Sequence, residues 1–176
     1  VMMRQSPVWK RPEKTSMAER LYLFDTTLRD GQQTSGVDFS LADKIRIANA
    51  LDNLGLDYVE GGYPGANPTD SQFFAEDRKF KRAVMTAFGM TKRAGRSADN
   101  DPGFMEVLNA QAGAVCLVGK SWDYHVDVAL GISNEENLAS IRDSMAAVAQ
   151  HGREAMIDCE HFFDGYKANR DYALAC

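Results

Sequence analysis

The sequence predicts an α/β fold in which strands alternate with helices on a parallel sheet. Three observations carry that expectation: five short apolar runs of strand length, Ser-x-x-Asp and Ser-x-x-Glu capping patterns ahead of two helical stripes, and polar clusters just after the strand ends. Strand-helix-strand order implies right-handed crossover units, on either an open doubly wound sheet or a closed barrel. The polar clusters, Asp25 to Asp30, Glu60, Lys120 and Glu160, lean toward the barrel, whose sites gather at the carboxyl ends of its strands.

The elements follow in order. Leu21 to Phe24 is a short aromatic-rich run ending in Asp25-Thr-Thr, which suits a buried strand. Ser40 opens a helix with Asp43 as the capping acid; Leu41, Ile45, Ala48 and Leu51 recur at helical spacing and Gly55 stops it. Asp57 to Glu60 is the second strand, Gly61 to Pro68 a loop, and the segment through Phe80 the next helix. Ala83 to Phe88 is the third strand, Pro102 to Ala110 the third helix and Ala114 to Val118 the fourth strand. Ser133 and Glu136 form a second capping box before the stripe Leu138, Ile141, Met145 and Val148; Gly152 ends that helix before the fifth strand, Ala155 to Cys159, and a last helix spans Gly165 to Leu174.

Composition narrows the function. A net charge of −5 argues against nucleic acid or an anionic membrane as the main partner. The three cysteines, Cys116, Cys159 and Cys176, form no C-x-x-C and read as thiols rather than a disulfide framework or zinc site. No apolar run approaches the roughly 18 residues of a membrane helix, and the basic N-terminal stretch has no hydrophobic signal core, so a cytoplasmic protein is expected. Residues 1–19, with Pro7 and Pro12, read as a disordered leader, and 20–176 as the barrel piece. Gly61, Gly62 and Gly65 do not make a dinucleotide fingerprint, and Gly119-Lys-Ser121 lacks the upstream glycine of a phosphate-binding loop.

The chemistry concentrates in Asp25-Thr-Thr-Leu-Arg-Asp-Gly-Gln-Gln33, where a cation adjoins a carboxylate and Gly31 allows a tight turn. Read for composition alone, this is a turn with a surface ion pair. The word Leu28-Arg-Asp-Gly-x-Gln33 followed after ten residues by Lys44, however, resembles the signature of the isopropylmalate, homocitrate and citramalate synthases. The similarity continues through Val59 to Pro68, Gly119 to Asp123 and Glu160 to Asn169. Glu-Gly-Gly-Tyr-Pro-Gly and Glu-His-Phe-Phe-Asp-Gly-Tyr-Lys resemble the citramalate synthase subgroup in particular.

That resemblance implies the N-terminal portion of a (β/α)8 TIM barrel, with about five βα units present, from a pyruvate-carboxyltransferase-like catalytic domain. It implies an acyltransferase that condenses acetyl-CoA with a 2-keto acid, pyruvate first, to give (R)-citramalate and CoA on a route to isoleucine. Asp30 inherits the role of ligand to a divalent metal, Mg or Mn, which polarises the keto acid. Arg29 inherits oxyanion stabilisation, because its planar fork stays charged at any working pH. Glu160 takes a base or proton-relay role, its unaided reading being a helix cap or a partner for lysine. Gln33 and Glu60 are secondary candidates, Glu60 either orienting Arg29 or standing solvated at a strand end. His125, His151 and His161 read as surface or capping residues.

The family's His-X-His metal ligands do not occur in these 176 residues, and five strands fall short of eight. The expectation is therefore an incomplete metal site in a piece of a longer, homodimeric enzyme, inactive alone. Other readings stay open: an isopropylmalate or homocitrate synthase, a metal-dependent acyl-CoA lyase of the same barrel, or a binding module without catalysis.

Overall fold

The computed structural model describes residues 20–176, so the leader expected over 1–19 lies outside the described residues. Five parallel strands lie in sequence order: β1 (Phe24–Asp25), β2 (Tyr58–Gly62), β3 (Val84–Met90), β4 (Ala114–Lys120) and β5 (Glu154–Glu160). Between them run α1 (Leu41–Leu54), α2 (Pro68–Phe73), α3 (Pro102–Asn109), the short α4 (Asp123–His125) continuing as a π-helical turn, and α5 (Asn134–Gln150). Two short helices follow β5, α6 (Phe162–Ala168) and α7 (Arg170–Ala175).

Alternation along each strand sorts side chains between two faces. Val59, Met85, Ala87, Val115 and Leu117 join Ala48, Phe73, Phe104, Val107, Leu108 and Val148 from the helices in one buried core. Burying a Leu, Val or Phe stabilises by about 1.5–3 kcal/mol, so this layer between sheet and helices dominates the energetics. The opposite face carries Tyr58, Glu60, Phe88, Cys116, Lys120, Glu154 and Glu160. Tyr58 of β2 donates its hydroxyl to Glu154 of β5 at 2.9 Å. Three strand spacings are about 14 Å on a flat sheet, so this bond requires a sheet curled toward its polar face, a half-barrel.

Both capping boxes form as the sequence predicts, with Ser40 and Asp43 at α1 and Ser133 and Glu136 at α5. Gly55 ends α1 in the left-handed region at φ 92°. Three expectations are corrected. The first strand is shorter and later than Leu21 to Phe24: Leu21 to Leu23 are exposed at the sheet edge, and Leu23 is tied instead to Asp57, its N–H donating to Asp57 Oδ2 at 2.9 Å. The second helix stops at Phe73 rather than Phe80, because Asp52 of α1 accepts the N–H groups of Lys81, Arg82 and Ala83 and pulls the chain into β3. The last helix is two, split at Asn169, whose side chain accepts the Tyr172 N–H and starts a new cap.

Candidate active site

The turn after β1 is folded around one carbonyl. Thr26 O accepts the N–H groups of Arg29, Asp30 and Gly31 at 3.1, 2.8 and 3.1 Å. Asp25 turns back on this segment, accepting the N–H and hydroxyl of Thr27. The turn aims Arg29 across the polar face toward β2 and β3. There Arg29 Nε donates to Glu60 Oε2 at 2.6 Å, Nη1 reaches Asp30 at 3.2 Å, and the guanidinium lies 3.9 Å above the centre of the Phe88 ring. Arg29 is thus held edge-on by a carboxylate and face-on by an aromatic ring, which fixes its plane.

Glu60 is 1% exposed. Burial pushes its carboxyl above the usual range, while the hydrogen bond and charge of Arg29 pull the other way. Nearby on β4, burial pushes the Cys116 thiol up to about 12, with the charges of Glu60 and Asp158 adding to the effect. Cys116 is therefore a protonated, inert thiol at neutral pH, not a nucleophile.

Behind the Arg29 turn sits Lys44, fully buried on α1. Its ammonium donates to Leu28 O and Gly61 O, each at 2.9 Å, and pairs with Asp70 of α2. Gly61 is the extra residue of a bulge in the β2–β3 register. The next residue, Gly62, has φ 149°, and a side chain there would meet the Asp70 carboxylate at 2.6 Å.

The second polar cluster stands at the ends of β4 and β5. Lys120 and Glu160 are the last residues of their strands, aligned in register and joined as an ion pair. Ser121 Oγ donates to the Glu160 carbonyl at 2.9 Å. Gly165 brings α6 so close to this strand end that an added Cβ would lie 2.3 Å from Ser121 O. Lys120 also lines a cleft of about 400 Å³ at the ends of β3 and β4, with Met90, Lys92, Arg93, Val118 and Ser140 on its walls.

The structure thus brings Arg29, Asp30 and Glu60 together at one end and sets Glu160 against Lys120 at the other. Gln33 ends a 3₁₀ turn, exposed, its N–H donated to Asp30 O at 3.0 Å; among the described residues, its neighbour Gln32 holds a buried Oε1 without a partner. His151 caps α5 through Ala147 O at 2.8 Å. His125 and His161 pack edge to face, ring centres 4.7 Å apart, beside Trp122.

For a divalent cation, Asp30 offers a carboxylate that is 62% exposed and open to an oxygen-bound ion. Among the described residues, however, no three His, Cys, Asp or Glu side chains cluster as a metal site. The described residues therefore supply one ligand, Asp30, and not a full set.

Sequence reasoning passed over Lys44, Asp70 and Phe88 as site residues. Lys44 carried a signal: it falls on the same face of α1 as Leu41, Ala48 and Leu51, where a lysine must be buried. Phe88 carried none, since an aromatic residue in a strand is ordinary core.

A family model described as HMGL-like matches residues 20–169. The chain is 49% identical over 160 residues to the (R)-citramalate synthase of Aquifex aeolicus (strain VF5), covering 90% of this chain and 30% of that protein. It is 46% identical to the (R)-citramalate synthase of Streptomyces coelicolor, with the same coverage. Against the 2-isopropylmalate synthase of Pelotomaculum thermopropionicum identity is 31%, over 82% of this chain and 27% of that one. Among solved structures, the hydroxymethylglutaryl-CoA lyase from Pseudomonas aeruginosa superposes with a TM-score of 0.61 at 22% identity, over 78% of this chain and 45% of that chain. The chain spans about a third or less of the length of these curated relatives.

Proposed function

Because the chain belongs to the HMGL-like family, we propose that it forms the first part of an acyltransferase barrel that joins the methyl carbon of acetyl-CoA to the keto carbon of pyruvate, giving (R)-citramalate. The observation that carries this reading is the fixed Arg29, whose Nε and Nη1 are taken by Glu60 and Asp30, while among the described residues Nη2 has no acceptor and faces an oxygen anion in the proposed complex. The identity to citramalate synthases, well above that to an isopropylmalate synthase, supports pyruvate as the keto acid.

The keto acid's oxygens are bound against Arg29, with Phe88 beneath the guanidinium limiting its movement. Glu160, acting as base directly or through a water, takes a proton from the acetyl methyl group. The resulting enolate carbon attacks the keto carbon, and the Arg29 edge stabilises the alkoxide that forms. Protonation of that alkoxide and cleavage of the thioester by water release citramalate and CoA. Lys120, paired with Glu160, directs that carboxylate along the strand end. Asp30 would hold a divalent ion, Mg or Mn, which supplies Lewis-acid polarisation of the keto acid when bound. The same reading takes the full-length protein as a cytoplasmic homodimer acting on small-molecule substrates on a route to isoleucine; no helix of the described residues is long and apolar enough to cross a membrane.

The test is release of CoA thiol from acetyl-CoA with pyruvate and Mn²⁺ by the full-length protein. Turnover that is lost on chelation and in Asp30→Ala is expected. Turnover with another keto acid alone would replace the substrate and keep the chemistry; silence with every keto acid, and cleavage of a hydroxyacyl thioester instead, would overturn the reading.

A further inference from the structure

We propose that Lys44 is a positioning residue that sets the distance between Arg29 and Glu60 by holding the backbone of both. Its two carbonyl acceptors are placed for this: Leu28 immediately precedes Arg29, and Gly61 immediately follows Glu60. One ammonium thus ties the turn after β1 to the bulge at the end of β2, and the third proton goes to Asp70. Asp70 extends the tie, its Oδ2 accepting the Tyr63 N–H at 2.8 Å while Asn67 caps α2 beneath it. All three ammonium protons are used, so the group has no capacity left for a ligand.

Packing alone does not account for a lysine at this place. Position 44 lies on the apolar face of α1, where a Met or Leu would fill similar space without desolvating a charge, and a buried ion pair brings no net stability over such a residue. What an apolar side chain cannot do is satisfy two carbonyls, one in the turn after β1 and one in β2, in one fixed geometry. The role rests on the proposed reaction only for its kinetic consequence: a misplacement of about 1 Å at a catalytic group can cost about 100-fold in rate.

In the full-length protein, Lys44→Met combined with Asp70→Asn removes the ammonium and its countercharge together. Amide hydrogen exchange of residues 26–31 is expected to accelerate by about tenfold or more. The kcat for citramalate formation is expected to fall about 100-fold, with the KM for acetyl-CoA within about threefold of the unsubstituted protein. Val148→Ala, a core truncation in α5, serves as the control for lost stability and is expected to change neither readout. Unchanged exchange in a folded double variant, a kcat within about threefold, or the same losses in Val148→Ala would each overturn the proposal. If the double variant does not fold, Lys44→Gln decides by the same two readouts, and failure of that variant to fold as well would make Lys44 a folding residue and overturn the positioning role. Should the unsubstituted protein release no CoA, the proposed reaction fails, while the exchange measurement still decides the role of Lys44.

Discussion

Two ion pairs stand at the carboxyl ends of this sheet, Arg29 with Glu60 and Lys120 with Glu160, and they are held in different ways. The side chains of the cations are alike, 15% and 16% exposed, but those of the carboxylates are not: the Glu60 side chain is 2% exposed and that of Glu160 39%. The first pair is further fixed by Phe88 and, through the backbone, by Lys44. The second is joined by one side-chain ion pair, and its backbone is held by Ser121 on the Glu160 carbonyl and by Asn137 and Tyr172 on the Lys120 carbonyl. A rigid, dry cation is suited to receive charge that develops in a reaction, because no reorganisation is needed when it does. A half-exposed carboxylate at a strand end is suited to exchange protons with substrate or water. In the proposed reaction, this difference in burial assigns charge stabilisation to the Arg29 end and proton transfer to the Glu160 end.

Substitutions can break or sharpen this contrast. The largest effect is expected for Arg29→Ala in the full-length protein, which strands the Glu60 charge in the interior: about 3–5 kcal/mol of stability in urea titration and a loss of about 10²–10³ in kcat. Glu160→Gln should show the opposite balance, with kcat down about 10²-fold or more and stability changed by less than about 1 kcal/mol; a large loss of stability there would make the two ends equivalent.

Glu60→Gln probes burial itself through pH. Burial raises the folded-state value of Glu60 above its ordinary 4.5, against the pull of Arg29, so the folded protein holds this proton more tightly than the unfolded chain. Its contribution is present in full below that ordinary value and is lost as pH rises through the raised one. The stability of the unsubstituted protein relative to Glu60→Gln is therefore expected to decline as pH rises above the ordinary 4.5, read from paired urea midpoints. A flat difference would show that Arg29 offsets burial completely. The smallest effect is expected for Lys120→Met, under about 1 kcal/mol and reduced further by salt; a loss well above that would place the Lys120 pair in the rigid class.

Much of the scaffold was legible because its signals are local. Ser40 with Asp43, Ser133 with Glu136, and Gly55 mark helix ends through bonds spanning a few residues, and each forms as read. Where a distant group intervened, the reading failed: Asp52 draws Lys81 to Ala83 out of a helix, from about thirty residues upstream. At the site, Arg29, Asp30, Glu60 and Glu160 could be named in advance from the resemblance, and the pairings of Glu60 with Arg29 and of Glu160 with a lysine stood among the readings left open, which the fold then selected.

The sequence by itself determined the alternation of strand and helix, the helix caps, and the carboxyl strand ends as the polar edge, since periodicity and capping act within a turn or two of chain. Tertiary structure alone brings Arg29 to Glu60 across 31 residues, sets Phe88 beneath the guanidinium, and places the Lys44 ammonium on the carbonyls of Leu28 and Gly61. The physical reason is the curl of the sheet. Its register and curvature, visible in the bond from Tyr58 to Glu154 across 96 residues, bring side chains together that no local rule relates.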